Sequence, residues 1–224
     1  MQRREALSST MNNVSQFYNK HKGETCLIVG VGPNLELTPP SLFNYPSFGV
    51  NTIYHYEGWK PTYYIGVDER LKLEDGAAVV EKYRDVPKFF PSPDWDDLKG
   101  ENIYRFEHRP GSQYVIGGQS PTQKEALTKY GITYYRIMEA AFKIAVWMGF
   151  TTLLCIGFQH KPGTRKDLFW GHDSGEPEND FEFEEVGYKF FSNALPARFL
   201  NISRDTYVPE DVLPRGNWED WINT

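Results

Sequence analysis

The sequence predicts an α/β fold: a single Rossmann-like domain with a mostly parallel central sheet and helices on both faces. Three observations predict it. Strand-like and helix-like stretches alternate through most of the chain, the pattern that builds parallel βαβ units. The run Thr25-Cys-Leu-Ile-Val29 ends abruptly in Gly30-Val31-Gly32-Pro33-Asn34, where glycines allow a sharp turn at the carboxyl end of a first strand. Thr151-Thr-Leu-Leu-Cys-Ile156 is almost continuously apolar, as in a central strand buried on both faces. The 224 residues suffice for one domain with its own core. No repeat, low-complexity tract or linker divides them, so 1–224 reads as one nucleotide-binding domain.

The elements follow in order. Leu7, Met11, Val14 and Tyr18 lie at helical spacing, so an amphipathic helix is expected within residues 1–22, with Gly23 ending it. Thr25–Val29 is the first strand. Pro39-Pro40-Ser41 starts a short helix reaching Tyr45. Residues 48–51 and 62–67 read as strands two and three, and 74–84 as a helix. Short strands are expected at 88–90 and 102–106, with 112–118 as an edge strand. Ile137, Ala141, Ile144, Ala145 and Met148 form an apolar stripe on a helix over 134–148. Gly149 closes that helix as a C-cap, and strand 151–156 follows. The polar stretch 159–179 has no periodicity and is long for a compact domain, which marks it as a functional loop. A helix over 180–193, a last strand over 198–203 and a terminal turn at 218–222 complete the chain.

Composition narrows the function. The hydrophobic share is 40% and the aromatic share 16%, which argues against disorder. The net charge is −6, and no Lys/Arg block offers a nucleic-acid backbone a footprint; Lys161, Arg165 and Lys166 make one local basic group. Both cysteines, Cys26 and Cys155, fall in predicted buried strands with no metal spacing, and free thiols fit a reducing cytoplasm. No apolar run approaches a membrane span and the N-terminus lacks an apolar signal region, so a soluble cytoplasmic protein is expected.

Ligands of open α/β sheets lie outside the carboxyl ends of the strands. That rule gathers Gly30, Val31, Gly32, Pro33 and Asn34 after strand one, Asn51 after strand two, Asp68 after strand three, and Gln159 and His160 after the late central strand. Bare N–H groups at the glycines would let a phosphate approach the main chain; the plain alternative is a glycine-rich turn. The dinucleotide fingerprint asks for a third glycine where this chain has Leu35, so a nucleotide or nucleotide-sugar phosphate is expected in place of NAD. Asn51 can bond a base, ribose or phosphate, or simply cap a turn. Asp68 can hold a ribose hydroxyl or a divalent cation, or pair with Arg70. His172 sits in Phe169-Trp-Gly-His-Asp-Ser-Gly175. Beside Asp173 it suits a general base, since a carboxylate steadies a passing imidazolium; a solvent-exposed loop histidine is the alternative. No Gly-x-Ser-x-Gly or Cys/His arrangement suggests a nucleophilic hydrolase.

These motifs, in this order, resemble two related groups. The quoted features are Gly30-x-Gly32-Pro33-Asn34-Leu35, Phe48-Gly-Val-Asn51, the helix ending Met148-Gly149-Phe150, Leu153-Leu-Cys-Ile-Gly157, and Gly171-His172. One group is the bacterial CMP-sialic-acid-dependent sialyltransferases of the lipooligosaccharide type. The other is the 6-hydroxymethylpterin diphosphokinase-like proteins, many carried in polysaccharide or phage gene clusters. The resemblance implies a Rossmann-like domain binding a nucleotide with a phosphate-linked group, without a metal in the sialyltransferase case. It implies that the histidine at 172 is the base on the acceptor hydroxyl and that Asn51 contacts the nucleotide. Three departures stand out: Val31 where the sialyltransferases have asparagine, Gln159 and His160 where their phosphate-holding tyrosines follow, and Arg136-Ile137-Met138 in place of Thr-Ser-Gly.

The expected function is group transfer from a nucleotide-linked donor to a hydroxyl acceptor, as in a glycosyltransferase. No cofactor is then needed. The alternatives are an ATP- and Mg²⁺-dependent diphosphotransferase, with Asp68 as metal ligand, and a non-catalytic nucleotide-binding or interaction protein on the same fold.

Overall fold

The computed structural model describes residues 14–107, 137–160 and 180–222. Seven strands form one sheet: β1 Thr25–Val29, β2 Ser47–Val50, β3 Tyr63–Ile65, β4 Lys88–Ser92, β5 Ile103–Glu107, β6 Thr152–Ile156 and β7 Arg198–Asn201. Their order is β5-β4-β3-β2-β1-β6-β7, and every pairing is parallel. Three α-helices are described: α1 Glu69–Lys82, α2 Ile137–Trp147 and α3 Asp180–Ala194. The α/β, Rossmann-like class expected from the sequence is the one observed.

The central strands carry apolar side chains on both sides, so each face of the sheet must be covered. Cys26 and Ile28 of β1 face one core with Phe48, Tyr63 and Phe89, beneath α2 and α3. Leu27 and Val29 face the other with Tyr64, Phe90 and Ile156, where α1 contributes Leu71 and Val79. The division follows handedness. The connections from β1 out to β5 lie on the α1 face, and α2 and α3, which precede β6 and β7, lie on the opposite face. Right-handed crossovers demand this switch when the direction of travel across the sheet reverses. Chain direction reverses between β1 and β6, so the topological switch point lies between those strands.

Local chemistry explains most boundaries. Asp68 caps α1: its side chain accepts from the Arg70 N–H at 2.9 Å. The helix thus starts earlier than the expected 74. Gly149 ends α2 in the left-handed conformation, φ 98°, with its N–H on the Val146 carbonyl. Between β1 and β2 the expected helix at 39–45 shortens to the 3₁₀ turn Pro40–Leu42, which ends at the extended Phe43 ahead of Tyr45-Pro46; a second 3₁₀ turn, Pro33–Leu37, precedes it. Residues 1–13 and 112–118, where part of the first helix and an edge strand were expected, lie outside the described residues; within 14–22 the segment holds the 3₁₀ turn Val14–Phe17. His21 anchors that region to the amino edge of the sheet. Its Nδ1 meets Glu24 Oε2 at 2.9 Å, its Nε2 meets Tyr63 Oη at 2.7 Å, and its ring stacks on Phe150.

Both cysteines are free and fully buried, and burial pushes both thiols up. No helix among the described residues is long and apolar enough to cross a membrane.

Lys88 is completely buried at the start of β4. Its ammonium donates to the carbonyls of Tyr83 at 2.7 Å and Val86 at 2.9 Å, closing the turn after α1. Burial lowers it to about 8. The folded chain therefore gives up this proton at lower pH than the unfolded chain, and the lysine's contribution to stability rises with pH above about 8. The stability of the wild type relative to Lys88→Met should increase by about 1.5 kcal/mol between roughly pH 8 and pH 9.5, since a lysine ordinarily titrates near 10.4. Urea unfolding of both proteins at the two pH values measures this. Cysteine and tyrosine titrations are common to both proteins and cancel. A difference that does not change with pH would refute the assignment.

Candidate functional site

The carboxyl edge of the sheet brings the sequence-predicted residues into two neighbouring groups. The first surrounds the ends of β1, β6 and β7. Here the main chains of two loops touch. A Cβ added at Gly30 would lie 2.7 Å from the Gly157 carbonyl oxygen, and one at Gly32 would lie 2.6 Å from the same atom. Gly157 itself has φ 75°, with the Gly30 oxygen 2.5 Å from where its Cβ would be. Only glycine fits such an approach.

That contact corrects the expectation of bare amides. The Gly30 N–H donates to the Ile156 carbonyl at 2.8 Å and the Gly32 N–H to the Gly157 carbonyl at 2.9 Å. The β1–β6 ladder thus continues past the strands, and these two amides serve the sheet. Val31 and Asn34 carry N–H groups outside this ladder, and Pro33 starts the 3₁₀ turn.

Asn34 is also committed. It is 1% exposed, and its Nδ2 donates to the carbonyls of Arg204 at 2.8 Å and Asp205 at 3.4 Å. Its Oδ1 is buried with no hydrogen bond among the described residues. The donating amide expected for a phosphate is therefore spent on the protein's own carbonyls. Gln159 belongs to the same group: its carbonyl accepts from the Tyr207 N–H at 2.7 Å and its Nε2 lies 3.2 Å from Asp205 Oδ2. Segment 203–207 after β7 is thus pinned across the β1 and β6 loops.

The second group lies at the ends of β2 and β3. Asn51 has a left-handed backbone, φ 41°. Its carbonyl accepts from Tyr64 Oη at 2.6 Å and its Oδ1 from the Val67 N–H at 3.2 Å. The side chain thus bridges to the loop after β3 and does not cap its own turn, and the Nδ2 donor of Asn51 is not used in either bond. Asp68, beside Val67, caps α1 with Oδ1 and lies 3.5 Å from Arg70 through Oδ2; the pairing with Arg70 named as its alternative is present. Val29 pairs with Gly49, so the loops after β1 and β2 leave the sheet at the same edge.

His160 follows Gln159, and its ring lies against α3. Its Nδ1 lies 3.5 Å from Glu185 Oε1 and its ring packs against Tyr188. His172 and Asp173 lie outside the described residues, as do Lys161, Arg165 and Lys166.

Three contributors were not legible beforehand. Glu185 has no local signal, since a glutamate on an exposed-looking helix is ordinary. Glu139 and Lys143 had one: two opposite charges at i and i+4 in an otherwise apolar helix. Both are buried. The Lys143 ammonium sits 4.4 Å from the Phe191 ring centre, and burial lowers it to about 8 against the opposing pull of Glu139.

No protein-family model matches this sequence, and no curated protein matches it. The fold is similar to that of the MAf glycosyltransferase from Magnetospirillum magneticum AMB-1, with a TM-score of 0.54 and 14% identity over 92% of this chain. This chain spans 36% of that one. The sialyltransferase CST-II, in complex with a trisaccharide acceptor and CMP, gives 0.48 at 9% identity, covering 86% of each chain. CstII from Campylobacter jejuni, in complex with a substrate analogue, cytidine-5'-monophosphate, gives 0.49 at 9% identity and 88% of each chain. What this chain shares with the MAf glycosyltransferase is the fold.

Asn34 generates a prediction. Asn34→Asp replaces an Nδ2 donor by an acceptor facing two carbonyls, and should destabilise the protein by about 2–3 kcal/mol. A matching fall in the urea midpoint with an unchanged slope is expected. An unaltered midpoint would show that the Asn34 bridge to segment 203–207 carries no weight.

Proposed function

We propose that this protein transfers a sugar from a nucleotide-linked donor to a hydroxyl acceptor, in the manner of a glycosyltransferase and most closely of a sialyltransferase. The observation that carries the reading is the convergence at the switch point. The loops after β1 and β6 meet there, and Val31, Asn34, Asn51, Asp68, Gln159 and His160 line the same carboxyl edge. Open α/β sheets bind their ligands at that location, and the fold shared with the MAf glycosyltransferase supports the class.

In this reading the Val31 and Asn34 N–H groups lie toward the donor phosphate, and the glycines hold the loop tight enough for it to approach. Asn51 positions the nucleoside through Nδ2, and Asp68 lies beside it. His172, oriented by Asp173, accepts the proton of the acceptor hydroxyl. The acceptor oxygen forms a bond to the anomeric carbon as the bond from that carbon to the donor phosphate oxygen breaks. The nucleotide departs with the electron pair. No covalent enzyme intermediate and no metal is required by these steps.

A thermal-shift panel of CMP, UDP, GDP and ATP species, with and without Mg²⁺, tests the reading. At least one nucleotide or nucleotide sugar should raise the melting temperature without Mg²⁺; binding at 100 times Kd adds about 2.7 kcal/mol. No stabilising nucleotide would favour an interaction protein on this fold, and stabilisation by ATP only with Mg²⁺ would favour the diphosphotransferase. With the donor identified, His172→Ala should lower turnover about 100-fold or more. Near-normal turnover in that variant would remove the histidine from the chemistry.

A further inference from the structure

The last described stretch of the chain returns along β7. At 214–216 it pairs with the outer edge of that strand: the Asn201 N–H donates to the Pro214 carbonyl at 2.8 Å, and the Gly216 N–H donates to the Asn201 carbonyl at 3.1 Å. Gly216 lets it lie close, since a Cβ there would stand 2.8 Å from Ile202 Cγ2. The 3₁₀ turn Trp218–Trp221 follows, capped by Asn217 Oδ1 on the Glu219 N–H. Side chains three apart in such a turn point the same way. Both tryptophans accordingly rest, with Ile222, on the core of the α1 face.

Arginines at the start of β7 and just beyond its end meet these rings. Arg198 lies 5.9 Å from the Trp221 ring centre, and Tyr45 stands edge-on to the same indole. Arg204 lies 4.8 Å from the Trp218 ring centre. Arg204 is also the hub of segment 203–207. Its N–H donates to Thr38 Oγ1 at 3.0 Å, its Nη1 donates to the Leu37 carbonyl at 3.4 Å, and its carbonyl accepts from Asn34 Nδ2 at 2.8 Å. Arg215 adds a second tie, donating to the carbonyls of Thr206 at 2.6 Å and Val208 at 3.3 Å. The Trp218 indole thus holds the residue that occupies the Asn34 amide, and the adjacent Asp205 occupies that of Gln159. Trp218 and Trp221 are only half-buried and Arg204 is exposed, whereas the β1 and β6 side chains beneath are buried. Elements with so few buried contacts open at lower free energy than the core.

We infer that 214–222 is a latch on the carboxyl edge. With the tryptophans seated, segment 203–207 is held across the loops after β1 and β6, and the side-chain amides of Asn34 and Gln159 are occupied. With the tryptophans released, that segment lifts, both amides come free, and the sheet stays folded. The device belongs to the edge itself, whatever ligand the edge takes.

Amide hydrogen exchange of the full chain tests this, with Trp218→Ala as the first variant. Amides of 203–207 and of 34–38, among them Arg204, Tyr207 and Thr38, should exchange about five-fold or more faster than in the wild type, because they share the opening of the turn. The Gly30 and Gly32 N–H groups, in the β1–β6 ladder, should keep their wild-type rates. Trp218→Phe keeps a ring for Arg204 and should restore most of the protection. Gly216→Val should reproduce the effect of Trp218→Ala from a position outside the Arg204 contacts. If Trp218→Ala fails to fold, Arg204→Met, which keeps the apolar stem and removes the cation, carries the same readout. Unchanged rates at 203–207, with or without faster exchange within 217–222, would overturn the latch and leave the turn a passive cover. An equal acceleration at Gly30 and Gly32 would overturn it too, since the turn would then open only with the whole sheet. Either result leaves the transferase reading to the nucleotide panel.

Discussion

The contact between the main chains of Gly30, Gly32 and Gly157 is the constraint on which the rest of the carboxyl edge depends. Their approach extends the central β1–β6 ladder by two further hydrogen bonds beyond the strands. A methyl group at any of the three would fall at 2.7 Å or less from a carbonyl oxygen. Because the loops are joined in this way, segment 203–207 can lie across both and be fastened through Asn34 and Gln159. The glycines therefore set the floor of the candidate site before any side chain contributes.

A second consequence is chemical. A glycine-rich loop after a first strand usually offers an anion several unoccupied amides. Here the same glycines satisfy the neighbouring strand, and the electrostatics of the edge pass to side chains. Three non-glycine residues beyond strand ends on this edge, Asn51, His160 and Asp205, adopt left-handed backbones; Asn51 is held by Tyr64 and Val67, Asp205 accepts from Asn34 and Gln159, and the His160 ring lies against Glu185 and Tyr188. Local strain is tolerated because the surrounding sheet over-determines it.

The opposite, amino edge is organised by different physics. Aromatic packing dominates there, with His21 between Phe150 and Tyr63, and Phe17 edge-on to Tyr63, Phe89 and Tyr104. Quadrupolar edge-to-face contacts and dense burial fix that end of the sheet. Rigidity at the amino edge and polar density at the carboxyl edge divide the molecule into a scaffold and a site, as open α/β sheets generally do.

The sequence by itself determined the fold class, because period and burial are local properties. The apolar run at 151–156 reads as a central strand, the stripe from Ile137 to Met148 as one face of a helix, and Gly149 as its natural end. It also determined which strand ends carry polar residues, since Asn34, Asn51, Asp68 and Gln159 follow directly from where the strands stop. Only the tertiary structure decided what those residues do. Whether an amide is open or bonded depends on the strand beside it, and β6 lies more than a hundred residues from β1. Asp68 became a helix cap once α1 began at its side, Asn34 became a bridge once segment 203–207 crossed it, and His160 came to lie 3.5 Å from Glu185 on a helix with no local sign of it. Hydrogen-bond partners are set by distant chain, and residue spacing does not record them.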